Sequence, residues 1–466
     1  MPRPSRFADV RLDIDPHARR SPAGRADDTP FRILLMGDFS GRDNQQTPPP
    51  PRWKPVLIDR DNFGQVMGSM GASLSLGAGA STGRIRLQFR DLEDFHPDRI
   101  YEQAECFRAF RETRQKLSGP SAKPAAGSEG GPKSPDVAAI AGGSLLDQIA
   151  GGGEPDALQQ FIERAVAPHL VRGPDPQAAA MLSQADAAAS TVMRAILHHR
   201  DFQALEAAWR AVFFLVRRLD TDRGLKLYLL DLTKADLARD LTSTAAVEDT
   251  HLYRLLAEEA AHTLGAEPWA VAVGNYVFQR TERDSRLLAR LATVMQAAGA
   301  AFLAEADPSA EATGEWMDLR RSPAASWVGL AMPRFLLRLP YGKDTQSVES
   351  FEFEEMPGEP RHQDYLWGNP AFACAYLLGE AFNADGWDIH PGSVREIRGL
   401  PLHLHQFGGE KVAKPCAELL MTEEEAEWVL DQGFMPLASL KDQDAVLLLR
   451  FQSIADPPAA LSGPWG

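Results

Sequence analysis

The chain has 466 residues, with 49 Lys plus Arg against 64 Asp plus Glu and a formal net charge of −15. That balance argues against a phosphate-neutralising surface, and no run approaches the ~18 apolar residues of a membrane span, so neither nucleic-acid binding nor membrane insertion is expected. Its three cysteines, Cys106, Cys374 and Cys416, are too scattered for a disulfide framework or a thiolate zinc site, and they predict a reducing, cytoplasmic setting.

Residues 1–30 read as a flexible arm, polar and rich in Arg and Pro, with no apolar stretch of the kind a Sec signal needs. Phe31-Arg-Ile-Leu-Leu-Met36 then predicts a buried strand, stopped by Gly37-Asp-Phe-Ser-Gly41. Trp53 to Ile58 predicts a second strand. Asp61 is placed to cap a helix with Phe63, Val66, Met67 and Met70 on one face. Arg84-Ile-Arg-Leu-Gln-Phe89 alternates strictly, as a strand with one wet face does. Pro97 opens a helix running to about Leu117. In residues 118–143, 20 of 26 positions are Gly, Pro, Ala or Ser and none is aromatic. Such a stretch cannot offset its ordering entropy by burial, so it reads as a disordered linker.

Helices follow. Ser144 to Ala150 is a short apolar turn before Gly151-Gly-Gly153, and Ala157 to Leu170 is amphipathic. Pro176 to His198 is a long helix, and Asp201 is placed to cap the next, with Leu205, Trp209, Val212 and Val216 on one face. From residue 225 strands alternate with helices: strands at 225–232, 269–274, 300–304 and 327–332, helices at 251–264, 282–298 and 316–320. That order implies a parallel sheet covered by helices. Pro340 to Tyr365 is long, acidic and irregular, and Asn369 to Phe382 is a helix. Thr422 and Glu425 form a capping box ahead of another helix. A last strand lies at 445–451, and Pro457 to Gly466 reads as frayed. The expected class is α/β: two mixed sheets flanked by helices, one in residues 31–117 and one in 225–466, with an α-helical segment at 144–224 and the linker between.

Motifs that could carry chemistry are few. Gly37–Gly41 follows a strand, where phosphate loops sit, but it lacks both the GxGxxG spacing and a Walker lysine, which favours a structural turn. Asp59-Arg-Asp61-Asn62 has no distal glutamate for a calcium loop. His403 and His405 would share a face of a strand but lack a third zinc ligand, and His198-His199 suits a helix cap or an interface. Cys374 sits in an apolar helix face and reads as packing. Glu349, Glu352, Glu354 and Glu355 read as a solvated or partner-facing loop. No catalytic, metal or cofactor residues emerge, and the pattern leans towards a structural or interaction protein.

Two stretches carry a resemblance. Phe31-Arg-Ile-Leu-Leu-Met-Gly-Asp-Phe-Ser-Gly41, Ile58-Asp-Arg-Asp-Asn-Phe63 with Val66-Met67, and Leu92-Glu-Asp-Phe95-His-Pro97 resemble the small subunit of the bacterial type VI secretion contractile sheath, the TssB or VipA family. Ile196-Leu-His-His199, Phe202-Gln-Ala-Leu-Glu206, Ala208-Trp-Arg210, Gly224-Leu-Lys226, Pro333-Arg-Phe-Leu-Leu-Arg-Leu-Pro340-Tyr-Gly342, Leu366-Trp-Gly-Asn-Pro370 and Arg450-Phe-Gln-Ser453 resemble the large subunit, the TssC or VipB family. The chain is thus similar to a natural fusion of the two.

The resemblance implies a non-enzymatic protomer of a contractile sheath. Its implied partners are other sheath subunits, the inner tube protein and baseplate components. It also implies a handle for a ClpV-type AAA+ unfoldase at Leu145, Leu146 and Ile149, a short apolar helix, with packing on the large-subunit core as the alternative. Large subunits continue past the Arg-Phe-Gln-Ser element into interlacing strands, whereas this sequence stops at Gly466. That departure leaves open an accessory that binds sheath ends without polymerising, and a nucleotide-binding enzyme using Gly37–Gly41 is a third, more distant reading. The arm Met1 to Pro30 is available to add a strand to a neighbour.

Overall fold

The computed structural model describes residues 29–50, 52–77, 84–118, 176–222, 224–261 and 267–465. The linker 118–143 lies outside these apart from its first residue, and the segment with Leu145, Leu146 and Ile149 lies outside them entirely.

The first stretch supplies β1 (Phe31–Gly37), α1 (Arg42–Gln45), β2 (Val56–Ile58), α2 (Phe63–Met70), β3 (Ser73–Leu76), β4 (Ile85–Gln88), α3 (Pro97–Gln103) and α4 (Arg108–Ser118). Two long helices follow, α5 (Pro176–Leu197) and α6 (Arg200–Arg218). Then come β5 (Leu225–Asp231), α7 (Lys234–Thr242), a helical run over 251–261 with a π turn at Arg254–Glu258, β6 (Val271–Gln279) and α8 (Glu282–Ala298). The order continues with β7 (Ala301–Asp307), α9 (Gly314–Arg321), β8 (Val328–Met332), β9 (Phe335–Leu336), β10 (Trp367–Gly368) and α10 (Pro370–Asp385). The last elements are β11 (Glu396–Ile397), β12 (Leu404–Phe407), β13 (Glu410–Ala413), α11 (Glu423–Asp431), β14 (Phe434–Ser439) and β15 (Val446–Leu448).

The class is mixed α/β as expected, but the strands do not divide into two large sheets. One nine-stranded sheet runs β11-β15-β14-β8-β7-β6-β1-β5-β2. β1 lies inside it, parallel to β5 on one side and to β6 on the other, with Ile33 opposite both Leu227 and Val271. The reason is hydrophobic: Phe31, Ile33, Leu34, Leu35 and Met36 are all fully buried, and a strand apolar on both faces is covered only in a sheet interior. Ile33 and Leu35 join a core shared with α6 and α10, while Leu34 and Met36 face the opposite core under α7 and α8. Phe31 stacks on Phe382, and the Trp387 indole N–H donates to the Thr29 carbonyl, which anchors the entry to β1.

Several local expectations are corrected. Asp61 does not cap α2; Asn62 holds the cap position, and the Asp59 carboxylate accepts the N–H groups of both 61 and 62 in a tight turn. Asp201 does not cap α6; His199 does, its ring nitrogen accepting from the Asp201 N–H, which is the capping role foreseen for the His198-His199 pair. The helix from Pro97 is interrupted after Gln103, where Ala104 is extended and the Gln103 amide clamps the backbone of Gln88. The tail is not frayed through 465: Leu461 and Trp465 are buried, and Ser453 bonds the Ala459 carbonyl. The Thr422–Glu425 capping box forms as expected.

Candidate functional site: the joint between the two halves

The joint begins where β1 ends. In doubly wound sheets a ligand crevice opens at the carboxyl ends of the strands where strand order reverses. Here that point lies between β1 and β6, because the chain runs from β1 to β5 on one side and returns to β6 on the other. The crevice is closed. A Cβ on Gly37 would stand 2.9 Å from the Asn275 Cβ, so only glycine fits. Phe39 is fully buried beside Trp209, whose indole N–H donates to the Phe39 carbonyl at 2.8 Å.

The backbone donors of the loop are also occupied. Phe39 and Ser40 donate their N–H groups to Asp231 Oδ1 at 2.8 and 3.1 Å. Gly41 and Arg42 donate to Asp38 Oδ1, both at 2.8 Å, and Asp43 donates to Asp38 Oδ2 at 2.9 Å. Two carboxylates of the chain therefore fill the role a phosphate would have in such a loop. Arg42 crosses to the other half, with Nε on Asp231 at 2.8 Å and Nη1 on Asp236 at 2.7 Å. Burial works against the Arg42 charge, but Asp231 and Asp236 more than compensate and raise its pKa. Burial raises the Asp38 carboxyl, partly opposed by the N–H groups of Asp43 and Arg42. The Gly37–Gly41 turn is a structural weld.

The second part of the joint is a buried charge network. Glu206 on α6 accepts from Arg210 Nε and Arg338 Nε, both at 2.7 Å. Arg338 donates through Nη1 to Glu355 Oε2 at 2.7 Å, which also accepts the Tyr341 N–H at 2.7 Å. Arg210 Nη2 reaches the Tyr341 hydroxyl at 2.9 Å, and His96 meets the Tyr341 ring edge-on. Two carboxylates face two guanidiniums, and His198 Nε2 stands 3.5 Å from Glu355. Burial alone would raise the Glu355 carboxyl; Arg338 beside it holds it down at about 2.

This overturns part of the reading of the acidic loop. Glu355 is buried, and its neighbours pack too: Phe351 stacks on Tyr101, and the N–H groups of Glu349 and Ser350 donate to Asp98. Ser190 and Arg194 on α5 hold the Glu352 and Glu354 carbonyls. The stretch straps α3, α5 and α6 together. The alternation Phe351-Glu-Phe353 was the available signal, since two aromatics in an acidic loop need a surface to cover them. His403 and His405 stack on one another, and His403 bonds the Tyr365 hydroxyl. No group of three or more metal-type ligands occurs among the described residues. Cys374 is fully buried, as its apolar setting predicts.

The family model of VipB, described as EvpB/VC_A0108, tail sheath N-terminal domain, matches residues 179–311 and 309–455, more than half of the chain. The chain belongs to the VipB tail-sheath family. A second model, described as type VI secretion system, VipA, VC_A0107 or Hcp2, matches residues 5–123. The chain is thus a fused sheath protein with a VipA-like part ahead of a VipB-like part. It is also similar to the type VI secretion system sheath protein TssC1 of Pseudomonas aeruginosa, 32% identical over 305 residues, which is 59% of this chain and 61% of that protein. In these terms β1 and its loop are VipA-like, whereas β5, β6, Asp231 and Asp236 are VipB-like. The weld therefore joins the two parts through backbone pairing and buried ion pairs. Among the described residues no helix is long and apolar enough to cross a membrane.

Proposed function

We propose that the chain is a structural protomer of a type VI contractile sheath, enclosing an inner tube in the cytoplasm and contracting to drive secretion. One observation carries this: the VipA-like strand β1 is built into the sheet of the VipB-like part, between β5 and β6. Two components that form one sheet must be present one to one, and covalent fusion guarantees that ratio at high effective concentration. The filled crevice and satisfied loop of the joint fit a load-bearing body, and contraction is then a repacking of such bodies between discrete arrangements. In this reading Leu145, Leu146 and Ile149 are the segment offered to a ClpV-type unfoldase, and baseplate components seed the lattice.

Electron microscopy of the full chain, alone and with the inner tube protein, tests the proposal. Striated tubes or stacked rings are the expected result. Monodisperse monomers that remain monomeric with tube protein would replace it with the accessory that caps sheath ends.

A further inference from the structure

Helices α7 and α8 leave a groove of about 740 Å³ between them. Its apolar lining is Ala235, Ala238 and, at the floor, the buried Leu287, and its rim carries Arg239, Arg283 and Arg286 with the carboxylate Glu282. The helical spacing explains the arrangement. Positions 235, 238 and 239 make one stripe on α7, and positions 283, 286 and 287 make the facing stripe on α8. Small residues on one wall keep the helices from filling the space with their own side chains. Three guanidiniums against one lining carboxylate, Glu282, make the groove basic in its lining on a chain whose net charge is −15. Arg239 and Arg286 pair with Asp236 and with Glu282 and Glu315, yet both side chains stay 66% exposed and keep donors free. Arg283 is exposed and has no ion pair within the described residues.

Helix α11 has the complementary surface. It buries Ala426 and Val429, and it presents Glu423, Glu424, Glu427 and Trp428 to solvent, with Trp428 46% exposed. Glu424, Glu427 and Trp428 lie at i, i+3 and i+4 and so share a face. None of Glu423, Glu424 and Glu427 forms an ion pair within the described residues. A carboxylate pair beside an exposed indole matches a groove with a small apolar floor and an arginine rim, because guanidinium binds carboxylate in a bidentate fork and an aromatic anchor fills the floor.

We propose that α11 of one copy docks in the α7–α8 groove of a second copy, with Trp428 over the floor and Glu424 and Glu427 on the arginines. This rests on the sheath reading, and it names one contact of that lattice. The two surfaces differ, so the contact is heterologous and can repeat from copy to copy, as a tube requires.

A charge swap on the full-length protein tests it. Arg283→Glu in the groove, and separately Glu424→Arg with Glu427→Arg on α11, should each lower self-association by about tenfold or more in sedimentation, with unchanged far-UV circular dichroism. Mixing the two variants should restore pairing, since the unaltered groove of one then finds the unaltered α11 of the other. Trp428→Ala should weaken association without altering its salt dependence. Variants that associate as well as the wild type, or a mixture that fails to recover, would overturn the contact while leaving a polymerising wild type, and hence the sheath reading, intact. A wild type that stays monomeric would overturn the docking and the sheath reading together.

Discussion

Replacing Arg338 with methionine should destabilise the protein by about 3–5 kcal/mol, the usual cost of removing one partner from a buried ion network. The side chains of Glu206, Glu355 and Arg338 are all at most 5% exposed. Without the guanidinium, Arg210 is left paired with Glu206, and of its ion partners Glu355 keeps only His198, whose Nε2 stands 3.5 Å away. Adding Glu355→Gln to Arg338→Met should recover part of the loss. The amide oxygen still accepts the Tyr341 N–H, and the stranded charge is gone. Urea unfolding of the single and double variants reads this directly. A double variant less stable than Arg338→Met would show that Glu355 is held by something other than its charge partner.

The inner elements were the most legible in the sequence. The apolar run before Gly274 marked β6 as covered on both faces, and the 3.6-residue pattern of Leu205, Trp209, Val212 and Val216 marked the buried face of α6. The partnership of β1 was not legible. A strand apolar on both faces fits any central position, and nothing near Phe31 shows that Leu225 is its neighbour, 194 residues away. The joint was hidden for a related reason. Asp38, Arg42, Asp231 and Asp236 are ordinary surface residue types, and only the fold brings them together. The sequence tied Gly37–Gly41 to a turn correctly, but the physical reason, two carboxylates standing where a phosphate would, required Asp231 from the other half. At the tail, proline and glycine suggested fraying because their backbone effects are local, whereas Trp465 is held by a long-range apolar surface.

Raising the pH from about 5 to 9 should lower stability through Glu305, and Glu305→Gln should remove that part of the decline. Glu305 lies on β7, where burial pushes its carboxyl up to about 8. Arg334 opposes the shift only weakly: it stands 3.9 Å from Glu305, while its Nε lies 2.8 Å from Glu418. Glu418 and Asp307 add to the rise. Between its ordinary value of 4.5 and about 8 the carboxyl is ionised in the unfolded chain but protonated in the folded one. The folded state then binds more protons, so each step up in pH favours unfolding until the folded group also ionises. At about 1.4 kcal/mol per pKa unit the decline has an upper bound of about 5 kcal/mol, before relaxation around the site reduces it. His96, His199 and His403, whose values burial lowers, contribute with the opposite sign at and below pH 6.5. The difference between wild type and Glu305→Gln isolates the carboxyl, because the histidines are common to both. Urea midpoints measured across that range should therefore diverge as pH rises, with the glutamine variant the more stable at pH 9. Parallel curves would show that Glu305 is already ionised at pH 5 and that Arg334 serves it and Glu418 equally.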